Sequence, residues 1–308
     1  MRLFKVFIFT ISFLVLFLLN SCNENPIDNN IPPCFDCFDF RLTDFEPAWS
    51  PDGKMIAYIH GDTISGRTGI YFIDTSGTNK QLFYAGIRAY SSTWSQDGEW
   101  IAFSDNAQIF KMKVNSDSII QLTFEGKNFS PSWSPDGEWI AYDSNVDSPN
   151  GMNFIWKIKA DGTQEIRIAY DPKKGEIRMP DWSPDGNSIV HIRYSKDFNT
   201  DASEICVMDK NGNNVKRLTF NNDMESYPKY SPDGTSILYT SEPYGGSPQI
   251  WVMNSDGTNQ KQLTVTQGYS CDWSPDGEWI VYTDSRAVNG MLWIMRKDGR
   301  NKHQITFD

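Results

Sequence analysis

The phrase Trp-Ser-Pro-Asp-Gly returns along this chain at near-regular intervals, and such a period constrains the fold more than any single motif could. It starts at Trp49, Trp133, Trp182 and Trp273, with two variants at Trp94 (Trp-Ser-Gln-Asp-Gly) and Tyr230 (Tyr-Ser-Pro-Asp-Gly). The starts are separated by 45, 39, 49, 48 and 43 residues. Each is followed by a short apolar stretch such as Met55–Tyr58 or Trp279–Tyr282, and then by a second one such as Ile155–Ile158, Ile250–Met253 or Leu292–Met295. Most repeats then show a turn ending in Gly and a closing Leu-Thr or Ile-Thr, as at Leu122-Thr123, Leu218-Thr219, Leu263-Thr264 and Ile305-Thr306.

Ser-Pro-Asp-Gly suits a type I turn, with Pro pre-setting its second position and Gly accepting the left-handed conformation that follows. The apolar stretches are four to six residues of Ile, Val, Tyr and Trp bounded by turn residues, which is the pattern of strands. No segment after residue 21 carries a helical period over ten or more residues. Each repeat therefore predicts four short antiparallel strands. Six such repeats over residues 41–308 predict an all-β fold, a six-bladed β-propeller of four-stranded blades around a central channel. The repeated Trp is expected to pack between blades. Arg41-Leu42-Thr43 reads as an extra closing strand ahead of the first Trp.

The phrase W-S-P-D-G-x-x-I-A-[FY] resembles the TolB-type, WD40-like β-propeller repeat over residues 41–308. The resemblance implies the propeller fold and says much less about function, because one fold hosts many chemistries. TolB-type proteins are periplasmic and carry an α/β domain before the propeller. Only a short segment precedes the first repeat here, so that domain and its link to an energy-transducing membrane partner are not expected.

The N-terminus reads as an address. Arg2 and Lys5 precede an apolar run from Phe7 to Leu19, which is short for a transmembrane span. The ending Leu19-Asn20-Ser21-Cys22 resembles a bacterial lipoprotein box, so residues 1–21 are expected to be a lipoprotein signal and Cys22 the lipidated residue. Residues 22–40 are rich in Asn, Pro and Asp and read as a flexible tether. The lone Cys34–Cys37 pair lacks the two further ligands of a zinc site. These features place the protein in the cell envelope, lipid-anchored at the outer membrane, as a monomer.

Lys and Arg total 28 against 39 Asp and Glu, a formal charge of −11 that becomes about −13 once Arg2 and Lys5 are removed. That balance argues against a nucleic-acid partner, whose phosphates must be neutralised. The search for catalysis finds no nucleophile elbow, zinc-protease helix, P-loop or dinucleotide fingerprint. His60, His191 and His303 occupy different repeat positions, so a three-His metal site is not expected, and no cofactor is implied. The ring of turn acids Asp52, Asp97, Asp136, Asp185, Asp233 and Asp276 is expected to serve the turns themselves. Cys206 and Cys271 are expected to be packing residues.

The loops at the opposite end differ from repeat to repeat, and binding residues gather on variable loops of rigid scaffolds. Register with the Trp places Phe45, Glu46, Arg88, Tyr90, Phe129, Arg178, Met179, Tyr227 and Tyr269 at the channel mouth, with Lys127, Lys173 and Lys174 nearby. Aromatics, Arg and Met are enriched at protein interface cores. The expected function is a non-enzymatic module that docks an envelope protein through this mouth. A carbohydrate-binding or lyase-like use of the same mouth is the alternative, because TolB-like propeller lyases exist, although their metal-binding His cluster is not evident in the sequence.

Overall fold

The computed structural model describes residues 44–62, 67–169, 175–194, 202–284 and 290–307. Contacts divide the chain after Asp39, and all described residues belong to the unit Phe40–Asp308. Cys22, Cys34, Cys37, the segment Arg41–Thr43, Lys173 and Lys174 lie outside the described residues.

All regular elements among the described residues are strands. β1 (Asp44–Trp49), β2 (Met55–Asp62), β3 (Arg67–Asp74) and β4 (Gln81–Ala85) form one antiparallel sheet in chain order. So do β5 (Ala89–Trp94), β6 (Trp100–Asp105), β7 (Gln108–Lys113) and β8 (Ile119–Gln121). The third sheet holds β9 (Asn128–Trp133), β10 (Trp139–Ser144), β11 (Phe154–Lys159) and β12 (Ile166–Arg167). The fourth and fifth repeats share one eight-stranded sheet. It holds β13 (Ile177–Trp182), β14 (Ser188–Tyr194), β15 (Ser203–Asp209), β16 (Lys216–Arg217), β17 (Met224–Tyr230), β18 (Ser236–Glu242), β19 (Gln249–Asn254) and β20 (Lys261–Gln262). Its two halves meet through a single parallel pairing, Ser203 with Met224. The last sheet is β21 (Tyr269–Trp273), β22 (Trp279–Asp284), β23 (Met291–Arg296) and β24 (His303–Gln304).

The recurring phrase builds the first hairpin of every repeat. Ser50 N donates to Met55 O at 2.8 Å, and Gly53, at φ +74°, donates back to Ser50 O at 2.9 Å. The Ser50 hydroxyl donates to Asp52 at 2.8 Å, and Lys54 N donates to the same carboxylate oxygen at 3.1 Å. The equivalent pair recurs at Asp97, Asp136, Asp185, Asp233 and Asp276. At Asp52, Asp97, Asp185, Asp233 and Asp276 the serine hydroxyl is the main cause that holds the carboxyl below its usual range. The turn itself thus accounts for each acid.

The Trp that ends the first strand in every repeat but the fifth, which has Tyr230, packs against the preceding repeat. Trp133 joins Ile109 and Leu122 of the second repeat, Trp182 joins Phe154 and Ile155 of the third, and Trp273 joins Leu238 and Ile250 of the fifth. Trp94 stacks on Phe72 with ring centroids 5.1 Å apart. Trp49 has no preceding repeat in sequence, and it packs on Val281, Leu292, Ile294 and Ile305 of the sixth. Trp49 N also donates to Asp272 at 2.7 Å, and Asp44 N to Gly290 O at 3.1 Å. The chain therefore closes on itself, first repeat against last.

The closing Leu-Thr has a defined job. Thr123, Thr219, Thr264 and Thr306 each take the first free N–H of the third strand of their repeat, from Ile109, Ile205, Ile250 and Leu292, at 2.8–2.9 Å. Two residues earlier, Gln121, Arg217, Gln262 and Gln304 donate to the carbonyl of the same Thr. This clasp ties the short outermost strand to its neighbour where the ladder ends.

Candidate functional site

The first strands of all six repeats enclose a central cavity of about 530 Å³. Each of these strands slips its register against its partner partway along, between Phe45 and Ala48 in the first and between Arg178 and Asp181 in the fourth. The residue at the slip is left-handed every time: Glu46, Ser91, Ser130, Met179, Tyr227 and Ser270 have φ between +27° and +54°. Pro follows at 47, 131, 180 and 228 and fixes the bulge, since it has no N–H to return to the ladder. A bulge re-aims its side chain. These six residues all line the cavity.

Three of them close one end of it. The Glu46 carboxylate accepts from Ser91 N and from the Ser91 hydroxyl, the latter at 2.9 Å, and from the Tyr227 hydroxyl at 3.1 Å. Ser91 and Tyr227 belong to the second and fifth repeats, which stand opposite one another in the closed order of repeats, so Glu46 bridges the channel. Tyr227 N donates to Met179 Sδ at 3.4 Å, and Tyr269 meets the Tyr227 ring edge-on with centroids 5.0 Å apart. Burial pushes the Glu46 carboxyl above its ordinary value, against the bonds it accepts.

The nine residues expected at the mouth thus divide. Glu46, Met179, Tyr227 and Tyr269 converge in this bar. Phe45 is buried with its ring 6.3 Å from that of half-buried Tyr90. Arg178 turns away from the axis to pair with Glu176 at 2.8 Å, beside the buried Asp143 of the third repeat. Arg88 is exposed, Phe129 half-buried, and neither lines the cavity.

The sequence reading missed a charged set one residue before the Trp. Positions 48, 93, 132, 181, 229 and 272 are Ala, Thr, Ser, Asp, Lys and Asp. Lys229 Nζ lies 3.0 Å from Asp181, whose other oxygen accepts from Tyr230 N at 3.0 Å. Burial alone would lower the Lys229 ammonium, but Asp181 and Asp272 outweigh it and hold it above its usual value. Burial pushes the Asp272 carboxyl up to about 6. Aligning the six phrases would have exposed this position, which is small and neutral in half the repeats and charged in the other half. The other end of the cavity is rimmed by Pro51, Gln96, Pro135, Pro184, Pro232 and Pro275 of the hairpin turns, all exposed or half-exposed.

The loop-rich end carries a different feature. Ile87, Phe124, Phe220, Tyr244, Val265 and Phe307 are 58–93% exposed, and all lie on loops at that end or just beyond the last strand. Four of them follow a closing Thr directly. The three His lie on separate strands: His60 bonds Asp44 at 2.7 Å, His191 is buried in β14 and held neutral with its pKa near 4 by desolvation, and His303 is in β24.

The sequence profile of the TolB beta propeller domain matches residues 39–185 and 163–307. The chain belongs to the TolB β-propeller family. An uncharacterised protein of Agrobacterium fabrum is 31% identical over 207 residues, 62% of this chain and 67% of its own. The Tol-Pal system protein TolB of Francisella tularensis is 29% identical over 242 residues, 74% of this chain and 54% of its own. The chain thus spans about half the length of the TolB relatives it matches. The structure of TolB from Acinetobacter baumannii superposes with a TM-score of 0.71 at 23% identity, covering 81% of this chain and 63% of that one. An oligogalacturonate lyase in complex with manganese superposes with a TM-score of 0.60 at 14% identity, covering 86% and 77%, which is a likeness of fold. Among the described residues, no group of three or more His, Cys, Asp or Glu is placed to hold a metal.

Proposed function

We propose that this TolB-family chain is a non-enzymatic, lipid-anchored envelope propeller that docks another protein on its loop-rich end. The eight-stranded sheet is read as two blades, which makes six blades of four strands. Cys22 is the anchor and residues 22–40 the tether. The observation that carries the docking surface is the crown of exposed apolar side chains on that end. Isolated exposed apolar residues are ordinary, whereas a set gathered on one face marks an interaction surface. The Glu46 bar closes the channel beneath the crown, so the partner rests on the rim, and Tyr90, Arg88 and Phe129 extend the same surface. The carbohydrate alternative rests on a likeness of fold alone.

Capture from solubilised envelope tests this reading. The mature chain should enrich a discrete protein, and the variant Ile87→Ser, Phe220→Ser, Tyr244→Ser should lose it without a change in melting temperature. Equal enrichment by both chains would remove the crown from the account.

A further inference from the structure

The seam between the fourth and fifth repeats copies a network found between the second and third, with acids in place of amides. In the earlier seam Thr123 Oγ1 accepts from Ile109 N at 2.8 Å and from Asn128 Nδ2 at 3.1 Å, and it donates to Gln108 Oε1 at 2.9 Å. Asn128 also donates to Gln108, at 3.1 Å. In the later seam Thr219 stands for Thr123, Glu204 for Gln108 and Glu225 for Asn128. Thr219 Oγ1 accepts from Ile205 N and donates to Glu204 Oε2, both at 2.9 Å. The Glu225 carboxyl faces the same hydroxyl. That hydroxyl has one hydrogen, already given to Glu204, so Glu225 must bring its own to do what the Asn128 amide does. Both Glu side chains are buried, Glu225 completely.

The loop that joins these two repeats hangs from the pair. Asn221 Nδ2 donates to Glu225 Oε1 at 2.8 Å, and Asn221 Oδ1 accepts from Asp223 N at 3.0 Å. Arg217 bonds Glu204 and holds its guanidinium 4.7 Å from the centre of the Phe220 ring, which belongs to the crown. The remaining ionisable groups on the elements packed against Glu225 are engaged elsewhere or neutral. Asp223 accepts from Ser241 at 3.2 Å, and burial keeps Tyr239 of β18 a neutral phenol. In β14, Arg193 donates to Cys206 Sγ at 3.6 Å and His191 is neutral. In β13, Asp181 pairs with Lys229 and Arg178 with Glu176, while Tyr269 of β21 packs on Tyr227.

We propose that Glu204 and Glu225 form a proton latch for the crown: the proton on Glu225 holds the Phe220 loop to the seam, and its loss frees that loop. Once ionised, the two carboxylates contend for one hydroxyl hydrogen and one guanidinium inside a buried seam. Glu225 then turns out to water with Asn221, and Phe220 leaves Arg217. Burial, aided by the Glu204 charge, pushes the Glu225 carboxyl up to about 7, so the change falls near neutral pH. Control of docking rests on the crown being the docking surface; the latch itself does not.

The test is fluorine-19 NMR of the full chain carrying 4-fluorophenylalanine at position 220, from pH 5 to 9. The resonance should shift with a midpoint of about 7. In Glu225→Gln it should stay at its acid position throughout. Glu204→Gln should lower the midpoint by about one unit, because it removes the like charge beside Glu225. Gln108 and Asn128 hold the matching positions of the earlier seam, so amides fit there. A resonance that does not move with pH, the same titration in Glu225→Gln, or an unmoved midpoint in Glu204→Gln would overturn the proposal. No partner takes part in this measurement, so its result is distinct from that of the capture test. In capture, the ratio of yields between pH 5.5 and pH 8 should be at least about threefold higher for the parent than for Glu225→Gln. Equal ratios would overturn the control of docking.

Discussion

Three carboxyls sit where burial dominates their chemistry. Glu225 is fully buried, and desolvation pushes it up to about 7 from an ordinary 4.5. Asp143 and Asp272 are pushed up to about 6 from 3.8. Each binds its proton more tightly folded than unfolded. Their contribution to stability is therefore fully present below the unfolded values and is lost as pH rises through the folded ones. The turn aspartates act the other way, and only below about pH 4, because their folded values are lowered. Melting temperature should accordingly peak near pH 4.5 and decline towards pH 7.5, with each buried acid costing on the order of 2 kcal/mol over that range. Glu225→Gln should flatten the part of the decline between pH 5 and 7. Thermal melts across pH 4 to 8 check this, and an identical slope in the variant would count against it. The third repeat supports the substitution, because it carries the neutral Asn128 at the position of Glu225, bonded to Gln108 and Thr123.

At the scale of the element, the clasp explains why strands of two or three residues persist at the outer edge. Removing the Thr264 hydroxyl leaves Ile250 N buried without its 2.9 Å acceptor. Thr264→Val should therefore cost about 1–3 kcal/mol in denaturant unfolding, while Thr264→Ser should cost less than half of that. Equal losses would mean that the methyl group matters as much as the hydroxyl. The elements themselves were legible because turn and strand chemistry lie next to one another in each repeat, as in Trp133-Ser-Pro-Asp-Gly followed by Trp139–Tyr142. The bulges were not. A register slip leaves the apolar pattern almost intact, yet it decides which of two neighbours faces the axis. That is why Glu46, Met179 and Tyr227 face the channel while Phe45 is buried beside Tyr90 and Arg178 packs into the seam with Asp143. It is also why Asp181, Lys229 and Asp272 were overlooked.

At the scale of the whole molecule, stability rests on seams between repeats, and the seam that joins first to last is built like the others. Trp49 and Trp133 are equally buried, at 9% exposure each. Trp49→Ala should thus destabilise as much as Trp133→Ala, by about 3–5 kcal/mol. A small loss at Trp49 alone would indicate a ring that does not hold shut. The family was readable from the repeat, since each phrase carries its own aromatic, Trp in five and Tyr230 in the other, whereas how the first repeat meets the last was not. The partner was not, because the crown residues occupy loops with no repeating pattern beyond the closing Thr. The most direct test of the account is photo-crosslinking in living cells from Tyr244, 93% exposed on the loop-rich end, compared with Leu82, 53% exposed on the outermost strand of the first sheet. The account predicts a discrete protein adduct from Tyr244 and none from Leu82. Adducts of equal yield from both positions, or none from Tyr244, would contradict it.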